Sequence, residues 1–290
     1  MAPITTIPAA GIPAREIFQF QSFQSSQEGV ICDSTTTQSP AEIVGSIMQY
    51  SRPQILAFGE IHPAYDCADT PDNEQNTLVY LANQVIPVLS QYGIDDLAFE
   101  LYQGRAVTKE LNFFYSPQGY LNSKLTPWLS KAAALCSLTG FDQLLDQAKA
   151  YGIRLHPGSL TLQELKQPRH LINGWDRNRT GIIANNMLTV IQRLAKSDKP
   201  FAVYSGHILN DINPIYQDTS FGDDLAAQDG LNYKEIDLFD LTALVNYNQA
   251  VPADFYPPLR EYIANTDPTH ASCYNPTPNH YVLTLPPSSP

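Results

Sequence analysis

The chain is short of positive charge. Seventeen Lys and Arg stand against 29 Asp and Glu, a formal net charge of −12 over 290 residues. A surface of that sign repels phosphate backbones and anionic bilayers, so no nucleic acid and no membrane surface is expected as a partner. No apolar run of 18 residues exists, which excludes a membrane-spanning helix. The first dozen residues have neither the basic start nor the apolar middle of a secretory signal. A cytoplasmic protein is therefore expected, with non-classical secretion as the other route. Cysteine is sparse. Cys32, Cys67, Cys136 and Cys273 are widely scattered and never form a C-x-x-C pair. Free thiols are expected from that spacing, rather than a disulfide framework or a structural zinc site.

What is present supports a real core, since 43% of the residues are hydrophobic. Residues 1–38, rich in Pro, Thr, Ser and Gln, read as an N-terminal arm. Residues 39–290 read as a single α/β domain with a mostly parallel central sheet flanked by helices. Ser39-Pro40-Ala41-Glu42 is a capping box with proline at the first helical position. Apolar stripes predict helices over about 74–92, 141–151 and 177–196, and short apolar runs predict strands at 54–58, 96–100, 152–155, 200–204, 233–238 and 280–285. Pro87 is expected to kink the first of these helices and Gly93 to close it. Residues 102–140 break the alternation with many aromatics and a helix start at Thr126-Pro127. They read as a helical insertion acting as a lid.

The chemistry-bearing residues fall at the strand ends. Gln54-Ile55-Leu56-Ala57-Phe58 runs into Gly59-Glu60-Ile61-His62, the next strand ends in Glu100, and two later ones end in His156 and in Ser205-Gly206-His207. In open α/β sheets ligands bind beyond the carboxyl ends of the strands. Parallel neighbours lie about 4.8 Å apart, so such residues can converge if their strands are adjacent. Glu60, His62, His156 and His207 would suit a divalent metal such as Mn, Co or Zn, which activates bound water. The same residues suit a metal-free mechanism in which a histidine poised by a glutamate activates water directly. Both alternatives stay open here.

Gly59-Glu60-Ile61-His62, Glu100 closing Leu97-Ala98-Phe99-Glu100, the helix start Asp176-Arg177-Asn178-Arg179, and Tyr204-Ser205-Gly206-His207 together resemble the TraB/TIKI superfamily, which includes ChaN-like and erythromycin-esterase-like proteins. The similarity spans roughly residues 54–215. Tyr204 stands where the first glycine of the second G-x-x-H motif would fall. The resemblance implies an α/β fold and a hydrolytic site using Glu60, His62, Glu100 and His207.

Three functional readings follow. The first is a hydrolase acting on an amide or ester of a small-molecule or peptide substrate. Arg177, Arg179 and Tyr65 would bind that substrate. The second is a ChaN-like haem-binding protein. The third is a non-catalytic effector or toxin module with the same fold. Cys67 reads as a buried thiol in preference to a nucleophile, and His170, His270 and His280 receive no role.

Overall fold

A computed structural model describes residues 32, 38–60, 77–120, 138–167, 177–212, 220–228, 230–240 and 271–285. The remainder of the expected arm, the proposed helix start at Thr126-Pro127, His62, Tyr65 and Cys67 lie outside these residues. Within them the chain forms a seven-stranded sheet of order β3-β2-β4-β1-β5-β7-β6. The strands are β1 (Ile55–Glu60), β2 (Asp96–Phe99), β3 (Arg154–Pro157), β4 (Phe201–Gly206), β5 (Tyr233–Asp240), β6 (Ser272–Thr277) and β7 (His280–Leu285). Every pairing is parallel except β6 with β7. The α/β architecture read from the sequence is the one observed.

The central strands are buried on both faces, which is why they read as unbroken apolar runs. Alternation still sorts their side chains. Leu56, Phe58, Leu97, Phe99, Tyr204, Ile236 and Leu238 pack on one side, and Ile55, Ala57, Ala98, Phe201, Val203 and Tyr233 on the other. The first face is covered by α1 (Pro40–Ser51), by the helical stretch from Thr77 to Gln91 and by a helix at Leu138–Ala150. The second is covered by the long helix at Arg177–Ala195 and by Phe221 and Leu225.

The start of α1 follows the sequence signal: the Ser39 hydroxyl accepts the Glu42 N–H at 3.2 Å and the Glu42 carboxylate accepts the Ser39 N–H at 2.7 Å. The Thr77 stretch shows what Pro87 does. It comprises α2 (Thr77–Tyr80), a π-helical turn (Leu81–Val85) and α3 (Ile86–Gln91). The Ile86 N–H bonds the Leu81 carbonyl, five residues back. Proline lacks the N–H that would bond the Asn83 carbonyl, and its ring crowds that oxygen. The wider π turn relieves both problems without breaking the helix. Gly93, at φ 75°, closes it as expected.

After β2 comes α4 (Arg105–Phe114), within the expected insertion. The remaining helices, in chain order, are α5 (Leu138–Ala150), α6 (Leu162–Leu165), α7 (Arg177–Ala195), α8 (His207–Asn210) and α9 (Gly222–Ala226).

Two features depart from the sequence reading. β6 is not among the strands expected from the sequence. It is an edge strand whose register shifts between Tyr274 and Thr277, the setting in which a sheet admits proline. Cys32 and Cys273 are also not free thiols. They form a disulfide across 241 residues of sequence, with Cα atoms 5.0 Å apart. Spacing along the chain carries no trace of this bond, because the fold of β6 brings Cys273 to Cys32.

Candidate functional site at the strand exits

The order β2-β4-β1 places three of the expected residues along one edge of the sheet. Glu60, the last residue of β1, is the register partner of Gly206, the last residue of β4. Glu100, one residue beyond β2, accepts the Gly206 N–H through Oε2 at 2.9 Å, and its own N–H bonds the Tyr204 carbonyl at 2.9 Å. His207 follows Gly206 directly and opens α8. The strand adjacency that convergence requires is thus present for Glu60, Glu100 and the backbone of His207.

Glu60 is buried, at 6% exposure. Its Oε2 accepts the Thr77 hydroxyl at 2.5 Å and the hydroxyl of Tyr204. Tyr204 and Thr77 stand 3.1 Å apart, so the three oxygens form one cluster. Burial, and then the neighbouring Glu60 carboxylate, push the Tyr204 phenol well above its ordinary pKa. The phenol therefore stays protonated and available as a donor. The Tyr204 ring stacks on Phe99 with centroids 5.0 Å apart, which fixes the direction of its hydroxyl. Sequence reading treated Tyr204 only as a departure from a motif. Its apolar neighbours in the strand disguise a residue that holds the buried Glu60 carboxylate.

His156 is not brought to this edge. It lies on β3, three strands from β1, and its Nε2 meets Asp96 Oδ1 at 2.6 Å. Asp96 sits two residues before His156's register partner Ala98, so the ring leans back toward the start of β2. The pKa of His156 is lowered, by burial first and with help from Arg193 and Arg154, against the opposing pull of Asp96. The acidic partner at the far end of the short strand accounts for the orientation.

Arg177 is exposed at the start of α7, and Arg179 Nη2 donates to the Gln167 carbonyl at 3.2 Å. Ile182 and Ile183 pack on Tyr102 and Leu160, which follow the ends of β2 and β3. The N-terminus of α7 therefore stands at the strand-exit end of the sheet, on the face opposite Glu60.

A second polar cluster was missed. Glu235 and Asp237 on β5 and His280 on β7 are all buried. Only the strand passing through Asp237 and the unassigned His280 hinted at it. Charged residues alternating within an otherwise apolar strand are the signal that would have found it.

No family model matches the sequence, and no curated protein matches it. Among solved structures, the type III effector HopBA1 superposes with a TM-score of 0.51 at 13% identity, over 88% of this chain and 99% of that one. RRSP, a MARTX toxin effector domain from Vibrio vulnificus, gives 0.45 at 16% identity over 72% of this chain, and the C-terminal region of Pasteurella multocida toxin gives 0.39 at 17% over 60%. The chain spans 37% and 21% of the lengths of these last two structures. At 13% identity the likeness to HopBA1 is one of fold.

Proposed function

We propose that the chain is an effector-type module that hydrolyses an amide or ester at the strand exits, using Glu60, His62, Glu100 and His207. The observation that carries the reading is the adjacency of β2, β4 and β1. It gathers the residues closing all three strands along roughly 10 Å of sheet edge, two strand spacings. A histidine, whose ordinary pKa lies near neutrality, takes the proton from attacking water. Glu60, tied to Tyr204 and Thr77, is a positioning group. Glu100, partly exposed and braced on the β4 backbone, is the carboxylate nearer to substrate.

The resemblance to the TraB/TIKI superfamily points the same way, and a divalent metal held by His62, His207 and Glu60 would serve the same chemistry. The fold shared with HopBA1 supports the effector role. The Cys32–Cys273 disulfide supports passage through an oxidising compartment.

A second reading, an effector that keeps the fold without catalysis, draws on the burial of Glu60 and its two hydroxyl partners, which give it a structural task. Electroporating the purified oxidised protein into cultured cells separates the readings. Wild type is expected to arrest growth, and folded His62→Ala and His207→Ala to be harmless. Equal toxicity of the variants would favour the silent module, and a harmless wild type would remove the effector role altogether.

A further inference from the structure

Glu235 and Asp237 are two apart on β5, so both side chains leave the same face of the sheet. His280 opens β7 opposite Glu235 in register and shares that face. This is the face of Tyr233, Phe221 and Leu225, opposite the one that carries Tyr204 and Ile236 and holds Glu60. Exposure of the three is 0%, 1% and 3%. One donor atom from each lies within 4.8 Å of the other two.

The hydrogen bonding inside this cluster is incomplete. Glu235 Oε2 accepts the Ile212 N–H at 3.1 Å, and Asp237 Oδ2 meets His280 Nε2 at 2.9 Å. The second oxygens, Glu235 Oε1 and Asp237 Oδ1, are buried with no hydrogen-bond partner. Two carboxylates face one imidazole in an apolar layer, and a buried anionic pair of this kind needs a proton or a cation to balance it. Lys234, the neighbouring cation on β5, alternates to the other face and donates to the Pro278 carbonyl and to Asn279 Oδ1.

We infer that Glu235, Asp237 and His280 form a binding site for one divalent transition metal ion, Zn²⁺ or Mn²⁺, that is separate from the strand-exit cluster. Carboxylate oxygens with one imidazole nitrogen are the donor set these ions accept. Bonds of about 2.1 Å in a tetrahedral site set donors about 3.5 Å apart, so side-chain adjustment of around an ångström closes the observed arrangement. Asp211, buried just after α8, adds a further carboxylate beside the cluster. The segment carrying it is clamped locally. The Ser220 hydroxyl donates to the Asp211 carbonyl at 2.7 Å and accepts the Gly222 N–H at 2.9 Å. A Cβ on Gly222 would lie 1.9 Å from the Asn210 carbonyl oxygen, so only glycine allows this approach. An ion here would be shielded from water by its burial and would act structurally, tying β5 to β7.

The test uses the full chain, stripped with chelator and titrated with Zn²⁺ and with Mn²⁺ by calorimetry, with melting followed in parallel. At least one equivalent is expected to bind at this cluster, with a rise in Tm of several degrees. His62→Ala should keep that equivalent, and Asp237→Asn should lose it. Binding that His62→Ala abolishes would move the ion to the strand exits and overturn the inference. So would a wild type that binds neither ion, in which case the two carboxylates share a proton. Glu235→Gln would then melt like wild type. Should Asp237→Asn fail to fold, the wild-type stoichiometry and the His62→Ala result still decide.

Discussion

Tyr204 does two jobs with one side chain. Its ring completes the core against Phe99, and its hydroxyl supplies a donor to a carboxylate that would otherwise be poorly solvated. Tyr204→Phe keeps the first and removes the second. A hydrogen bond to a charged acceptor contributes about 1.5–3 kcal/mol, so urea denaturation should find the variant destabilised by that amount with an unchanged m-value. His156 yields a pH prediction. Its pKa is lowered in the fold by burial, against the opposing pull of Asp96. As pH falls below about 6.5, the unfolded chain takes up a proton that the folded chain resists, so stability declines until the folded-state pKa is passed. Denaturation midpoints of wild type and His156→Gln should therefore converge or cross as pH drops from 7.5 to 5, and a constant difference would show that His156 does not titrate as described. At this scale the sequence disclosed residue types and little of their partners. Glu60 and Glu100 stood out as polar ends of apolar strands. Asp96 as the partner of His156, and His280 as the partner of Asp237, depend on register, which no local pattern encodes.

Elements were more legible than residues because their signals are local. The capping box at Ser39 and the glycine closing the Thr77 stretch are each complete within one turn or two of sequence, and the stripe of α7 repeats within a single 19-residue helix. Ser39→Ala removes the N-cap acceptor and should cost about 1 kcal/mol, measured as a shift in denaturation midpoint. The strand β1 was legible for the opposite reason: burial on both faces leaves six consecutive buried positions. β6 was not legible, since its stability derives from pairing with β7 and not from its own residues. The helix around Pro87 was half legible. A kink was expected at Pro87, and the chain accommodates the proline with a π turn over Leu81–Val85.

Across the whole molecule the parallel sheet is the organising fact, and it was readable from the alternation of strand and helix signals. Strand order was not readable, yet it decides the function argument, because only the sequence β2-β4-β1 makes neighbours of Glu100, His207 and Glu60. The Cys32–Cys273 bond was equally invisible, being a contact between distant parts of the chain. Removing it with Cys273→Ser should lower stability by about 2–5 kcal/mol, read from urea denaturation. The central claim is that the strand exits are a hydrolytic centre. The most direct measurement is to incubate a cell lysate with the purified protein and quantify new α-amino termini by mass spectrometry. Wild type should generate a small set of new termini that fall to background with folded His62→Ala and His207→Ala. The same termini at the same yield from these variants would contradict the account.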